Sequence, residues 1–401
     1  MPAMPTASRV RPTVVSLGID RLLDTDRALV AGSRIGLVCN PASVDAAFRH
    51  TADRLAADPD ITLAALFGPQ HGFHSNLQDN MIESAHATDA KREVPVYSLY
   101  SETREPTAAM LADLDALVVD LQDVGTRVYT FVYTMANCMR AAAKHGVRVV
   151  VCDRPNPIGG EAVEGSLLRE PWTSFVGQFP IPLRHGMTIG ELARLFNDEF
   201  GIGCALDVVP LDGWRRDMFM DQTGQPWIIP SPNLPTLDSA IVYPGTVLIE
   251  GTMLSEGRGT TRPFELIGAP WIDGERLAGA MNERGLPGVH FRAVFFEPTF
   301  QKHARQTCGG CQIHVTDRVA FEPVRTAVEL IAEFRREDPQ RYAWRQPPYE
   351  YEHDKQPIDI LFGSDDLRKT VDGGGDVSAL VASWSTDQDA FRRLRQPFLM
   401  Y

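Results

Sequence analysis

The stretch ALVVDLQDVGTRVYTFVYTMANCMRAAAKHGVRVVVCD, residues 116–153, holds two short apolar runs separated by a segment with helical periodicity. The runs ALVVDLQ and VRVVVCD are rich in β-branched residues and do not alternate, which is typical of strands buried on both faces of a sheet. Between them, one apolar stripe recurs every three or four residues and can pack on that sheet. The stripe consists of Val128, Phe131, Val132, Met135, Met139 and Ala142. The stretch therefore predicts a strand–helix–strand unit with parallel strands.

The same alternation extends upstream and downstream of this unit. Three more apolar runs precede it: RIGLVCN (34–40), ITLAALF (61–67) and VPVYSLY (94–100). Helices are predicted at 46–57, 106–114 and 127–144, and another begins at Thr188, where Glu191 completes a capping-box pattern. Strands that alternate with helices predict an α/β fold with a Rossmann-like, doubly wound parallel sheet.

A chain of 401 residues is too long for one ordinary core, so we expect two domains. Helical and strand periodicity lapses between 221 and 244, where Pro, Asn and Thr accumulate. The predicted domains are therefore 14–236 and a smaller α+β domain, 237–401. In the second domain, strands are expected at 289–296 and 311–316, and helices around 326–336 and near Leu380.

Composition excludes several classes of protein. There are 39 basic and 52 acidic residues, a formal charge of −13, so binding to nucleic acid is not expected. No apolar run of 18 residues predicts a membrane span, and MPAMPTASRVRPTVV lacks the apolar core of a secretory signal. Six cysteines in so long a chain, several in apolar runs, are typical of buried thiols in a reducing compartment. We therefore expect a cytoplasmic protein.

The one close cysteine pair is Cys308-Gly-Gly-Cys311. A second pair that would complete a zinc site is missing from the sequence, so a structural turn is the favoured interpretation and a redox or metal role the alternative. No metal is predicted.

Polar residues follow all five predicted strands of the first domain. In an open parallel sheet, ligands bind beyond the carboxyl ends of the strands, where the loops converge. A polar residue at one strand end usually serves a turn, but polar residues at all five predict a binding crevice. They are Asn40, Gln70, His71, Tyr100, Gln122, Asp123, Asp153, Arg154 and Asn156.

The motifs of nucleotide and zinc enzymes are missing from this edge. CNPASVD follows the first strand in place of GxGxxG, and the sequence contains no GxxxxGK[ST], HExxH or GxSxG. No cofactor is therefore predicted. Amides, carboxylates, arginines and aromatic rings remain, and they suit a hydroxylated or acetamido ligand that carries an anionic group. Carbohydrate chemistry fits best.

The second half contributes EGTMLSEGRGTTRPFELIGAPW, residues 250–271. Its glycines permit tight turns or close approach to a ligand, while Glu256 and Arg258 form either part of a site or an ordinary surface pair. His185 is either a ligand or a loop histidine satisfied within the fold. Arg127 and Tyr129 begin their predicted helix near Asp123, and there function is favoured.

Taken together, these motifs resemble the DUF1343 family, whose characterised members are exo-β-N-acetylmuramidases of the NamZ type. The similar stretches span roughly 18–401. The resemblance implies a Rossmann-like domain without a nucleotide, a smaller C-terminal domain, and an active-site cleft between them. The stretches are VYSLY, VVDLQDVGTRVYTFVYTM, DRPNPIGG, FPIPLRHGMTIGEL, SPNLPTLDSAIVYPGT and LSEGRGTTRPFELIGAPW.

The chain departs from the family pattern at one position that matters for catalysis. The family's usual PEHGxRG, whose glutamate resembles a catalytic carboxyl, reads PQHGFHS here, with Gln70 in place of the acid and His74 in place of the arginine. Glycoside hydrolysis normally needs a carboxylic acid to protonate the leaving oxygen, and a carboxamide has no such proton. Another acid must act, and the candidates are Asp123, Glu83 and Glu256, in that order. A 2-acetamido sugar could also supply its own nucleophile, with Gln70 orienting the acetamide.

The leading hypothesis is a glycosidase that removes terminal N-acetylmuramic acid from peptidoglycan fragments. A catalytically silent muropeptide- or sugar-acid-binding protein is the alternative, and hydrolysis of a different amino-sugar glycoside is a third. Stereochemical outcome and oligomeric state stay open. The predicted substrate contacts are Asn40, Gln70, His71, Gln122, Arg127, Tyr129, Asp153, Arg154, Asn156, His185, Asn233 and Arg258.

Overall fold

The computed structural model of this chain describes residues 14–79 and 81–401. Most of the segment in which no secretory signal was found, residues 1–13, lies outside this described part. The strands are β1 Arg34–Cys39, β2 Thr62–Gly68, β3 Ala87–Asp89, β4 Val94–Ser98, β5 Ala116–Asp120, β6 Arg148–Cys152, β7 Glu164–Leu167, β8 Pro182–Arg184, β9 Leu206–Val209, β10 Leu266–Ala269, β11 Val289–Phe296 and β12 Cys308–Val315. The helices are α1 Gly18–Leu22, α2 Thr51–Ala56, α3 Ala108–Leu111, α4 Phe131–His145, α5 Ile189–Asp198, α6 Leu237–Thr246, α7 Gly274–Glu283, α8 Pro323–Glu337, α9 Pro357–Phe362, α10 Asp366–Asp372, α11 Val377–Ser383 and α12 Ser385–Arg395.

Seven strands form the central sheet in the order β3-β4-β2-β1-β5-β6-β9. All neighbouring pairs are parallel except β3 with β4, at one edge. From β1 the chain proceeds outward through β2 and β4, and from β5 it proceeds the other way through β6 and β9. The order therefore reverses between β1 and β5, as in a Rossmann fold. The predicted doubly wound sheet is confirmed.

Both faces of this sheet are buried, which explains why its strands show no alternation in sequence. Leu117 and Val119 of β5 belong to the apolar core that includes α4. Ala116 and Val118 point the other way, into the core that includes α1 and α2. Each strand thus needs apolar residues at every position.

Two helices begin later than the sequence pattern suggested. The predicted helix 127–144 is α4, but it starts at Phe131 because the backbone of Thr126 first pairs with Arg184 in β8. It ends at Gly146, whose φ of 71° is the left-handed conformation that glycine adopts most easily. The predicted helix 46–57 shortens to α2, since His50 is its N-cap. At α5 the capping box of Thr188 and Glu191 is present.

The second half of the chain forms a smaller unit around an antiparallel sheet of order β10-β12-β11. The expected turn at Cys308-Gly-Gly-Cys311 is wrong, because these residues lie within β12. A Cβ on Gly309 or Gly310 would lie 2.2 or 2.0 Å from a neighbouring carbonyl oxygen, so the glycines permit close approach of backbone. The boundary predicted at 236/237 falls where α6 begins and stays a prediction.

The C-terminal end of the chain returns to the first half. Arg395 donates hydrogen bonds to the carbonyl oxygens of Gly160, His185 and Gly186, and the Tyr401 hydroxyl donates to Asp153 at 2.8 Å. The two halves are therefore joined at this end as well as along the cavity described below. Among the described residues, the helices are too short or too polar to cross a bilayer.

Candidate active site

A cavity lies beyond the carboxyl ends of β2 and β5, where the second half of the chain covers the sheet edge. Its volume is about 40 Å³. Small-molecule sites usually enclose about 300–1,000 Å³, so a sugar would fit this cavity only if its walls moved apart. Residues before the predicted domain boundary that line it are Gln70, His71, Val128, Tyr129, Thr130, Phe131, Val176, Ser231, Asn233 and Leu234. Those after the boundary are Tyr243, Val247, Glu250, Arg258, Phe264, Tyr349, Glu350 and Leu361.

The contact between Gln70 and Glu350 joins the two halves across this cavity. The Gln70 amide nitrogen donates to one carboxyl oxygen of Glu350 at 3.3 Å, and the Tyr100 hydroxyl donates to the other at 2.8 Å. Thr130 donates its hydroxyl to the Gln70 amide oxygen at 2.6 Å, which turns the NH₂ group toward Glu350. Glu350 is only 2% exposed. A buried carboxyl thus lies directly against the Gln70 side chain.

Backbone strain accompanies this contact. His71, Glu350 and Tyr351 have φ of 70°, 45° and 68°, in the left-handed region that residues other than glycine rarely adopt. Such conformations cost about 1–3 kcal/mol each and cluster at functional sites. Two of the three residues line the cavity, and the third follows Glu350.

Next to this contact lies a buried cluster of two cations and two carboxylates. Arg258 donates to Glu250 at 2.5 Å and lies 3.3 Å from Glu256, and Lys302 donates to Glu256 at 2.8 Å. Burial alone would lower the pKa of Arg258, but the two carboxylates outweigh it and raise that pKa. Burial would raise the pKa of Glu256, but Lys302 and Arg258 lower it overall. Each carboxylate of the cluster is thus paired with a buried cation, Glu250 with Arg258 and Glu256 with Lys302.

One donor of this cluster is left over. The Arg258 Nη1 group is buried and has no hydrogen-bond partner within residues 14–79 and 81–401. Since Arg258 lines the cavity, its guanidinium can still donate to an anionic ligand there. Glu250 also accepts from the Tyr349 hydroxyl, at 2.9 Å, so its position is fixed from two sides.

Two wall residues offer uncharged hydrogen-bonding groups. His71 Nδ1 lies 2.7 Å from the carbonyl oxygen of Leu77, and because a carbonyl only accepts, Nδ1 carries the hydrogen. Burial lowers the pKa of His71 to about 4, so the ring is neutral and its Nε2 is an acceptor. Burial likewise raises the pKa of Tyr129, which stays a neutral phenol.

Of the predicted substrate contacts, five line the cavity: Gln70, His71, Tyr129, Asn233 and Arg258. Three others use their amides within the fold. Asn40 donates to Pro230 O at 2.8 Å, Gln122 to Pro155 O at 2.9 Å and Asn156 to Met187 O at 3.0 Å.

Two charged residues that were predicted as contacts, Arg154 and Asp153, also make structural bonds. Arg154 donates two hydrogen bonds to the Asp120 carboxylate, at 2.5 and 2.9 Å. Asp153 accepts hydrogen bonds from Thr188, Gly190 and Tyr401, while burial raises its pKa to about 7. These hydrogen bonds hold the ends of β5 and β6 against adjacent segments of the same chain. Arg154 and Asp153 do not line the cavity.

Arg127 lies entirely inside the protein. Its guanidinium donates to four backbone carbonyls, two in each half of the chain, at 2.7 to 3.1 Å. Burial lowers its pKa to about 10, so it stays charged at neutral pH. The side chain connects the halves and has no place on the cavity wall. The carbonyls belong to Ser166, Ile181, Leu361 and Phe362.

The three predicted acids lie away from the cavity lining. Asp123 is buried 3.4 Å from His185, itself a predicted contact that does not line the cavity, and accepts from the Gly125 amide at 2.8 Å. Glu256 belongs to the ion cluster. Glu83 is exposed, 3.7 Å from Arg104, beside a larger cavity of about 500 Å³. Their catalytic roles stay predictions.

The carboxyls that do line the cavity, Glu250 and Glu350, were missed by the sequence reasoning. Glu250 is the first residue of the glycine-rich segment quoted above, which is the only local signal for it. Glu350 stands in PPYEYEHD, 280 positions from Gln70. No local pattern connects positions so far apart, because only folding brings them together.

Comparison with known proteins covers nearly the whole chain. Residues 35–238 match the family model for the N-terminal part of the exo-β-N-acetylmuramidase NamZ, and residues 241–401 match that for its C-terminal part. The chain is 46% identical over 387 residues to the peptidoglycan β-N-acetylmuramidase NamZ of Bacillus subtilis, covering 96% of this chain and 91% of that protein. A DUF1343 family protein from Bacteroides fragilis superimposes with a TM-score of 0.88 at 35% identity, covering 98% of this chain and 100% of the other. A second from the same organism gives 0.76 at 28% identity, covering 97% and 99%.

Proposed function

The chain belongs to the NamZ family of exo-β-N-acetylmuramidases, and from that premise we propose that it hydrolyses its substrate in the cavity between Gln70 and Glu350. It is a glycosidase that removes terminal N-acetylmuramic acid from peptidoglycan fragments. Its 46% identity over 96% of the chain to a curated muramidase favours hydrolysis over a silent sugar-binding protein.

The observation that carries the assignment to this cavity is the unused donor of Arg258. Muramic acid differs from glucosamine by a lactyl ether, which ends in a carboxylate. A buried guanidinium with a free N–H group is well suited to that carboxylate, because charge-assisted hydrogen bonds are the strong ones. A charged hydrogen bond of this kind contributes about 1.5–3 kcal/mol.

The uncharged wall residues suit the rest of the sugar. His71 Nε2 can accept a hydrogen bond from a hydroxyl or from the acetamido N–H group. Asn233 lines the same cavity and is held by a 2.9 Å bond from its amide nitrogen to Gln78 O, which leaves its amide oxygen as an acceptor. Apolar faces of Phe131 and Phe264 complete the wall.

A catalytic role for Asp123 or Glu256 would require a buried carboxyl to leave its partners. Asp123 would have to separate from His185, and Glu256 from Lys302. Breaking the buried Glu256–Lys302 ion pair would cost about 3–5 kcal/mol, and Asp123 does not line the cavity, so we do not assign the proton transfer to either. Glu83 lies beside the larger cavity of about 500 Å³ and would have to move into the cavity lined by Gln70.

The direct test is hydrolysis of two matched chromogenic substrates. We expect the protein to release 4-nitrophenol from the 4-nitrophenyl β-glycoside of N-acetylmuramic acid, and much more slowly from its N-acetylglucosamine counterpart. Binding of the muramide without release would support a binding protein instead. Release from another glycoside alone would show that the substrate is a different sugar.

We propose that the enzyme acts on small fragments inside the cell. All six cysteines are buried free thiols, which supports a reducing compartment. Cell fractionation checks this: the protein should accompany cytosolic markers, and recovery outside the cytoplasmic membrane would contradict it.

A further inference from the structure

We propose that Glu350 is the general acid of the hydrolysis and that Gln70 positions it, an inference that rests on the proposed function. The reaction needs a carboxylic acid beside the glycosidic oxygen. At the family's usual position this chain has an amide, which cannot supply a proton. One hydrogen bond away, 3.3 Å from that amide, the structure places the carboxyl of Glu350.

Of the two side chains at positions 70 and 350, only one therefore needs to be a carboxyl that can donate a proton. A glutamate at position 70 would put two carboxyls in contact, and like charges that close cannot both ionise readily. With Gln70 in place, the amide N–H donates to Glu350 and stabilises the carboxylate that remains after proton transfer. The proton donor has thus moved to the opposite wall of the same cavity.

Glu350 is a better donor than Glu250, the other carboxyl on the wall. Glu250 forms an ion pair with the Arg258 guanidinium at 2.5 Å, so its use as the proton donor would break a buried ion pair. Glu350 accepts hydrogen bonds from the Gln70 amide and the Tyr100 hydroxyl and is only 2% exposed. Both donors can stay in place and stabilise the carboxylate that is left when Glu350 gives its proton to the substrate.

The surroundings of Glu350 hold it in one orientation. Thr130 fixes the Gln70 amide, and Gln70 and Tyr100 each bind one carboxyl oxygen. The Arg104 guanidinium lies over the rings of Tyr100 and Tyr351, at 4.3 and 4.4 Å, so the residue after Glu350 and its hydrogen-bond donor are clamped together. The left-handed backbone at Glu350 is maintained by these contacts.

The step balances with water as the only co-reactant. The bond between C1 of muramic acid and the bridging oxygen breaks, and its electron pair stays on that oxygen, which takes the proton of Glu350. A water oxygen then bonds to C1, and the proton that this water releases restores the Glu350 carboxyl. One water is consumed for each glycosidic bond that breaks, and each product carries one new hydroxyl.

Leaving-group dependence separates a proton donor from a structural residue. In Glu350→Gln, cleavage of a disaccharide with muramic acid at its non-reducing end should fall about 10²–10⁴-fold, the usual contribution of general acid catalysis. Cleavage of the 2,4-dinitrophenyl muramide should fall less than about tenfold, because that leaving group needs no proton. Glu352→Gln is the matched control: it removes a carboxyl two residues away that pairs with Lys355 at 3.4 Å, and it should leave both rates unchanged.

The positioning role of Gln70 has its own readout. In Gln70→Glu the two carboxyls should share a proton, so the falling limb of the pH–rate profile should move up by about one pH unit or more. In Gln70→Leu the disaccharide rate should fall about tenfold with little change in KM. An unmoved pH limb in Gln70→Glu would overturn the positioning role.

Each outcome bears on one proposal only. Equal losses of Glu350→Gln on both substrates, or no loss on either, would overturn the role of Glu350 while the wild-type activity stands. If the wild type cleaves only another glycoside, the proposed substrate fails, and the same pair of leaving groups on that sugar still tests Glu350. Circular dichroism melting, with Glu350→Asp as a second variant that keeps a carboxyl, shows whether a loss reflects misfolding.

Discussion

Two parts of the same sheet edge are equally polar in sequence but differ in what their side chains do. Beyond β5 and β6, Arg154 is bound to Asp120 and Asp153 to Tyr401, while beyond β2 and β4 Gln70 and Tyr100 meet Glu350 at a cavity. The hydrogen bonds of the first group hold the ends of β5 and β6 in place, whereas those of the second join the two halves of the chain at the cavity wall. Polarity at a strand end therefore does not show whether a side chain lies at the cavity.

The difference is clearest at the point between β1 and β5 where the strand order reverses. Rossmann-like proteins bind ligands there, but in this chain the gap lined by Gln122, Arg154 and Trp227 has a volume of only about 10 Å³. The chain itself fills the crevice, with Asn40 bonded to Pro230 O. The cavity lined by Gln70 and Glu350 lies to one side of this point, where the second half of the chain covers β2.

The contrast between the two parts of the sheet edge would fail most clearly if a residue that holds the fold together proved dispensable. Arg127→Met should lower the free energy of unfolding by about 3–5 kcal/mol, because four buried carbonyls lose their donor. Urea titration followed by circular dichroism measures the change. Arg215→Met, which removes an exposed arginine paired with Asp217, should change it by less than about 0.5 kcal/mol. Equal effects of the two would show that Arg127 does not join the halves.

The ion cluster tests whether Glu256 holds the site together or performs catalysis. Glu256→Gln should cost about 3 kcal/mol of stability, because Lys302 loses its carboxylate. The lowered pKa of Glu256 means that this contribution is complete above the unfolded pKa of about 4.3 and is lost as pH falls through the folded value. Denaturation of wild type and variant at several pH values should show the difference shrinking in acid. A loss of proton transfer with full stability would restore Glu256 as a candidate acid.

Selectivity for muramic acid tests the residues that line the cavity. Arg258→Lys keeps the charge near Glu250 but loses the unused donor, so the preference in kcat/KM for the muramide over the glucosaminide should fall about 10- to 100-fold. Initial rates on the two 4-nitrophenyl glycosides give the ratio. Arg262→Lys, in the same segment but partly exposed beside Glu265, should preserve it. An unchanged ratio in Arg258→Lys would place the carboxylate elsewhere.

The smallest expected effect concerns the C-terminal residue. Tyr401→Phe removes a hydroxyl that donates to Asp153 at 2.8 Å and accepts from the Leu211 amide at 2.6 Å, and should cost about 1–2 kcal/mol with activity preserved. Thermal melting measures it. Tyr342→Phe removes a buried hydroxyl without a hydrogen-bond partner in the described part of the chain, so it should be neutral or slightly stabilising. Equal effects of the two substitutions would show that the hydrogen bonds of Tyr401 do not stabilise the fold.

The type of each secondary-structure element could be predicted from the local sequence, but its ends could be predicted less accurately. The five predicted parallel strands match β1, β2, β4, β5 and β6 to within two residues, because each is a continuous apolar run. The start of α4 shifted by four residues, since a bridge from Thr126 to Arg184 decides where the helix begins. The glycines between Cys308 and Cys311 suggested a turn, and only the neighbouring strand shows that they allow close packing.

The sequence by itself determined the doubly wound sheet and the family, because periodicity and motifs are properties of neighbouring residues. Only the tertiary structure decided which polar residues face the cavity and which carboxyl lies beside Gln70. Those choices depend on contacts between residues hundreds of positions apart: Glu350 reaches Gln70 only when the second half of the chain folds over the edge of the first.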